Sequence, residues 1–187
     1  MSVALFQDLI AGEFLLERRG AKWIVVETHK DAANKEVGIV GCQMLVFSLD
    51  QTELNSLPFI KDNTNKRGMR SVCDAMIVAS FNDKTYFCAL DMKSGKASNA
   101  RKQIESARHL FIWLLGLAKL HGHWVGEFND DCFFGIIHLA PRKQEAKGTT
   151  RRDTQVPKPA KSHWGDYRIF TLPNHPTINL SHIIARL

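Results

Sequence analysis

No apolar run in the sequence is long enough to cross a bilayer. The longest, Leu110 to Ala118, falls far short of the roughly 20 residues that a spanning helix needs, so no membrane association is expected. No Cys-x-x-Cys pair is present. Cys42, Cys73, Cys88 and Cys132 are widely spaced and three of them lie in apolar segments. That favours reduced, buried thiols and a cytoplasmic setting over a zinc site or a disulfide framework. A secretory leader is not indicated: Asp8 interrupts the first apolar stretch, Glu13 and Glu17 follow, and no basic residue precedes it. There is no Gly-x-Ser-x-Gly elbow. Ser94-Gly95-Lys96 is not a phosphate loop, because Leu90 stands where the leading glycine is required and Ala97 where a hydroxyl is required. His121 and His123 have no Cys or acid at ligand spacing and suit the end of a helix, where imidazolium complements the dipole.

What is present is a basic chain of ordinary globular composition. The 187 residues are 44% hydrophobic and 24% charged, with 25 Lys and Arg against 19 Asp and Glu, a net charge of +6. That size fits one sizeable domain over residues 1–187, and the excess positive charge suggests a polyanionic partner.

Periodicity predicts a helix over Val3 to Arg18, a strand over Trp23 to Thr28, and a strand from Val37 to Leu49 bent at Gly38 and Gly41. A short helix over Gln51 to Leu57 and a basic loop from Lys61 to Arg70 follow. Arg70 to Ser80 and Thr85 to Lys93 are the next two strands, and Ser98 to Leu120 is a long amphipathic helix with Phe111 and Trp113 as core candidates. Phe133 to Leu139 and Tyr167 to Leu172 complete the strands, and Ile178 to Leu187 is a terminal helix. Between them, 141–163 reads as a basic loop with seven Lys and Arg opposed by Glu145 and Asp153 alone. It serves equally as connector or as an arm around nucleic acid. The fold class expected is α/β, a mixed central β-sheet flanked by helices.

The most informative stretch is Cys73 to Gln103. If Asn82-Asp83 is a two-residue turn, Phe81 faces Lys84, Ala79 faces Tyr86, Ile77 faces Cys88 and Ala75 faces Leu90. Asp74 then lies opposite Asp91. Alternation puts Lys93 on the face of the two carboxylates, and Cys73 on the face of Ala75, Ile77 and Ala79. Opposed like charges destabilise a sheet, so the pair needs a counter-charge. Lys93 is one, and a divalent cation is a better one, since Mg²⁺ is commonly held by one or two carboxylates with water and phosphate oxygens. A plain salt bridge at a strand end is the alternative.

An acid on one strand, acid-x-Lys on the next and Gln103 on the following helix resemble the PD-(D/E)xK nuclease superfamily. Cys73 stands where the proline of that name would be, and Asp91 replaces the commoner Glu. The resemblance covers roughly Val37 to Leu139. It implies a restriction-endonuclease-like core in the order α-β-β-β-α-β, followed here by a C-terminal strand and helix. It implies hydrolysis of phosphodiester bonds, in DNA ahead of RNA, with Mg²⁺ or Mn²⁺ as cofactor. Asp74, Asp91 and the backbone carbonyl of Met92 would be metal ligands, and Lys93 and Gln103 catalytic groups. A further acid from the first helix is implied, for which Glu13 is the best candidate, with Glu17, Glu27 and Glu36 open. Arg67 and Arg70 before the hairpin, Lys96, Arg101 and Lys102 after it, and Arg151 and Arg152 in the basic loop are candidates for phosphate contacts. The setting implied is bacterial or phage defence, as a homodimer or within a larger complex. Two rivals remain: a non-catalytic nucleic-acid-binding module on the same fold, and a protein-interaction or inhibitor domain docking on an acidic partner.

Overall fold

A computed structural model describes residues 2–27, 35–50, 71–93, 99–139, 156–173 and 175–187. The expected helix at Gln51 to Leu57 and the loop from Lys61 to Arg70 lie outside these residues.

Asn82 and Asp83 both have positive φ, 48° and 59°. These are the left-handed conformations of a type I′ turn, which Asn and Asp tolerate. They join β5 (Ala75–Phe81) to β6 (Lys84–Lys93) in the expected register, Phe81 against Lys84 and Ala75 against Leu90. The preceding strand β4 (Gln43–Phe47) pairs antiparallel with β5. From β6 the chain crosses through helix α2 (Ala100–Leu120) to β7 (Phe133–Leu139), which lies parallel to β6. Next to β7 runs β9 (Arg168–Pro173), also parallel, and the two-residue β8 (Ala160–Lys161) closes the edge. The resulting order is β4-β5-β6-β7-β9-β8.

A second, mixed sheet takes β1 (Arg18–Arg19), β2 (Lys22–Val26), β3 (Glu36–Val40) and β10 (Thr177–Asn179), in the order β1-β2-β3-β10. The protein is therefore mixed α/β with two sheets. Alternation along β5 and β6 sends Ala75, Ile77, Ala79, Cys88 and Leu90 toward Val25, Val37 and Ile39 of the second sheet and Ile183 and Ile184 at the C-terminus. It sends Met76, Val78, Phe87 and Ala89 toward Val3 and Phe6 of α1 (Ser2–Leu9) and Ile104, Ala107 and Phe111 of α2. A sheet covered on both faces needs strands apolar on both faces, as these are.

Four expectations are corrected. The first helix stops at Leu9, not Arg18. A 3₁₀ turn takes Gly12–Phe14, and Leu16 N–H donates to Val46 C=O, so pairing with β4 wins over helical continuation. The segment Val37 to Leu49 is not one bent strand but two, β3 and β4, in different sheets. Gly41 makes the crossing at φ 121°. The terminal helix shrinks to α3 (Leu180–Ile184), because Thr177 to Asn179 pair with Gly38 to Val40. Trp113 is 56% exposed, whereas Phe111 is fully buried.

A Cβ at Gly41 would run into the Asn179 Oδ1 atom and lie 2.9 Å from Ser181 N. Gly41→Ala should therefore cost roughly 2 kcal/mol or more, from unfavourable φ and the clash together. At Gly116, inside α2, a Cβ meets nothing within 4 Å, so Gly116→Ala should add about 0.5–1 kcal/mol. Urea midpoints of the two variants check both signs.

Candidate active site

Asp74 directly precedes β5, and Asp91 and Lys93 sit near the end of β6. With Ala75 opposite Leu90, the continuation of the ladder brings Asp74 to Asp91. The strand departs from regular alternation just there. Cys73 packs with Met76 and Val78 on the helical side rather than with Ala75 and Ile77, which corrects the expected face. Its Sγ lies 3.2 Å from the Ala75 carbonyl. Asp74 uses the bend to accept the Met92 N–H on its Oδ2. A strand residue presents N–H and C=O to the same neighbour, so the Met92 carbonyl is directed to the Asp74 edge as well.

Asp91 is fully buried. Lys93 Nζ donates to its Oδ1 at 3.0 Å and stands 2.9 Å from its Oδ2, which makes no aligned hydrogen bond. The two carboxyls share one environment. Burial, and then the charge of Asp91, raise the Asp74 pKa to about 7. Burial raises that of Asp91 to about 6; Lys93 opposes the shift, and Glu27 and Asp50 add to it.

Glu27, directly after β2, also acts on Asp74. Among the acids left open it is the one near the pair, because Glu17 and Glu36 are both tied to Arg19, at 2.8 and 3.0 Å. Glu13 is exposed in the 3₁₀ turn rather than on a helix face. Sequence spacing could not select Glu27 or Asp50, since both follow strands whose place beside the hairpin depends on the Gly41 crossing. Among the described residues no group of three or more His, Cys, Asp or Glu side chains is placed to hold a metal ion.

Gln103, one turn into α2, donates its Nε2 to the Val72 carbonyl at 3.0 Å, two residues before Asp74. Its buried Oε1 has no protein partner. Other side chains fix the helix against the sheet. Arg108 Nε and Nη2 donate to Asp130 Oδ1 at 2.9 and 2.6 Å, and the Tyr167 hydroxyl donates to Glu105 Oε2 at 2.6 Å. Of the phosphate-contact candidates, Arg101 is half-buried and Lys102 exposed in the first turn of α2. Arg67, Arg70, Lys96, Arg151 and Arg152 lie outside the described residues. Comparisons with family models, curated proteins and solved structures find no match.

Below about pH 3 both carboxyls are largely protonated, folded or unfolded. As pH rises toward 7 the unfolded chain gives up protons that the folded chain keeps, so the pair costs stability at neutral pH. Asp74→Asn keeps an oxygen for the Met92 N–H and removes one charge. In EDTA it should stabilise the protein at pH 8 by on the order of 2 kcal/mol and change it far less at pH 3. Thermal melts at the two pH values test this, and equal melting of parent and variant at pH 8 would remove the strain assigned to the pair.

Proposed function

We propose that this protein is a metal-dependent nuclease that hydrolyses phosphodiester bonds, in DNA ahead of RNA. The observation that carries the reading is the meeting of Asp74 and Asp91 at one strand end, with Lys93 against the buried Asp91. Such a pair is poorly compensated by a single lysine. The run β4, β5, β6, α2, β7, with β6 and β7 parallel, supports the α-β-β-β-α-β core that the resemblance implies. The net charge of +6 suits a polyanionic substrate.

The donor set fits a small divalent cation. Asp91 Oδ2 is buried without a hydrogen bond, and two carboxylates satisfy Mg²⁺ when water and phosphate complete its shell. Asp74, Asp91 and the Met92 carbonyl would hold Mg²⁺ or Mn²⁺. When bound, the ion supplies polarisation of the phosphate and a lowered pKa for a coordinated water. Lys93 donates to a non-bridging phosphate oxygen and stabilises the charge that grows there. Gln103 holds the main chain before Asp74 through Val72, and its free Oε1 can accept a hydrogen bond from the attacking water and orient it. Arg101 and Lys102 at the start of α2 contact flanking phosphates.

Cleavage of plasmid, linear and single-stranded substrates in Mg²⁺ or Mn²⁺ should stop in EDTA. Asp91→Asn should lower turnover at least about a hundredfold while nucleic-acid binding persists, because the metal's charge stabilisation is lost. Lys93→Ala should impair turnover more than it shifts the Mg²⁺ midpoint. Wild-type cleavage by both variants would falsify the assignment. Salt-sensitive binding with no cleavage under any metal would instead identify a non-catalytic module.

A further inference from the structure

An open cavity of about 260 Å³ lies between β9, β10 and α3. Leu172, Ile178 and Ile183, all buried, give it apolar walls. Its polar lining is His175, Thr177, Asn179 and His182. Each of these can donate and accept hydrogen bonds, and among the described residues no Lys, Arg, Asp or Glu lines the cavity. Apolar walls with a few amphiprotic groups suit a neutral, hydrogen-bonding ring. The volume lies just below the roughly 300–1,000 Å³ of drug-sized ligand sites, so it admits a heterocycle of one or two rings with room to spare.

The cavity is preformed. Buried His138 lies with Nε2 2.8 Å from the His175 carbonyl oxygen and 3.2 Å from its amide nitrogen. Gly38 N–H donates to Pro176 C=O at 3.1 Å. Ser181 Oγ donates to Asn179 Oδ1 at 2.7 Å, which fixes that amide and leaves its Nδ2 to donate elsewhere. Its position also matters. Lys93, Leu139 and Pro173 stand side by side in register across β6, β7 and β9. Neighbouring strands are about 4.8 Å apart, so Pro173, two residues before His175, is about 10 Å from the acid-bearing strand. Duplex phosphates repeat every ~3.4 Å of axis on each strand, so a bound strand covers that distance within a few nucleotides.

We propose that this cavity receives one unstacked nucleobase of the strand whose phosphate lies at Asp74 and Asp91. The proposal rests on the nuclease reading and names its substrate more closely: single-stranded or locally opened nucleic acid, with one base turned out of the stack. Extruding a base from a duplex costs a few kcal/mol and from a single strand much less, so single-stranded substrate is preferred.

The test has two arms. In the first, the metal-free chain in EDTA is titrated by NMR with the four ribonucleosides and, separately, with ribose 5-phosphate. At least one nucleoside should bind saturably and move the signals of His175, Thr177 and His182. Thr177→Val, a near-isosteric loss of one hydroxyl, should weaken it about fivefold or more. No nucleoside binding, or equal binding of ribose 5-phosphate, overturns the pocket assignment. The second arm compares cleavage of a single-stranded oligonucleotide with that of bis(p-nitrophenyl) phosphate, a diester without a base. Thr177→Val and His182→Ala should raise the oligonucleotide KM about fivefold and leave the base-free diester unchanged. Equal effects on both substrates, or none on either, overturn the proposal. Failure of the parent protein to cleave either substrate removes the nuclease reading, while the nucleoside titration still decides the pocket.

Discussion

Everything at the candidate site depends on a two-residue turn. Asn82 and Asp83 occupy left-handed backbone conformations, and that geometry leaves β5 and β6 one register. A slip of one residue would exchange the two faces of a strand. Met76 and Val78 would then leave the helices, and Asp91 would leave Asp74. Burial on both faces enforces the same register independently, because Phe87 stacks at 5.2 Å on Phe111 of α2 while Leu90 packs toward the second sheet. Local turn chemistry and long-range packing thus agree. The acids are carried where the hairpin would otherwise have continued apolar.

The hairpin register could be read from the sequence for this reason. Its signals are local: a turn dipeptide, two continuous apolar runs, and acids at symmetric distances from the turn. The long helix and β7 were equally legible, the helix within two residues of its start and β7 to the residue. The second sheet was not. Its pairings join Lys22–Val26, Glu36–Val40 and Thr177–Asn179, and no periodicity in Val37 to Leu49 shows that the chain changes sheets at Gly41. A glycine signals a special backbone conformation; it does not say whether the chain bulges or departs. Glu27 was undecidable for the same cause, because β2 reaches the hairpin only through its pairing with β3 and the crossing at Gly41. Glu13 illustrates the opposite error, an inference from helical spacing in a segment that is not helical beyond Leu9.

The site is also held from behind. Gln103 ties α2 to the strand before Asp74, while Arg108, Asp130, Glu105 and Tyr167 tie α2 to the loop before β7 and the entry of β9. Arg108 further stacks near the Phe128 and Tyr167 rings, 5.9 and 5.7 Å from their centroids. A helix anchored at both flanks cannot slide along the sheet without breaking charge-assisted hydrogen bonds. The position of Gln103 is therefore a property of the whole helix rather than of one contact. The apolar layer between them adds stiffness, with Phe6, Phe47, Phe87, Phe111 and Phe133 in mutual ring contact.

Cys73 sits one residue before Asp74, fully buried and unpaired. Burial first, and then the negative charges of Asp74 and Asp91, push its thiol well above the ordinary range; Cys88 is pushed the same way by burial, and Cys42 rises to about 11. Thiolate is the reactive form, and here the very charges that a cation would need also suppress it. Alkylating agents and peroxide meet a thiol that stays protonated, so the residue beside the acids is chemically quiet.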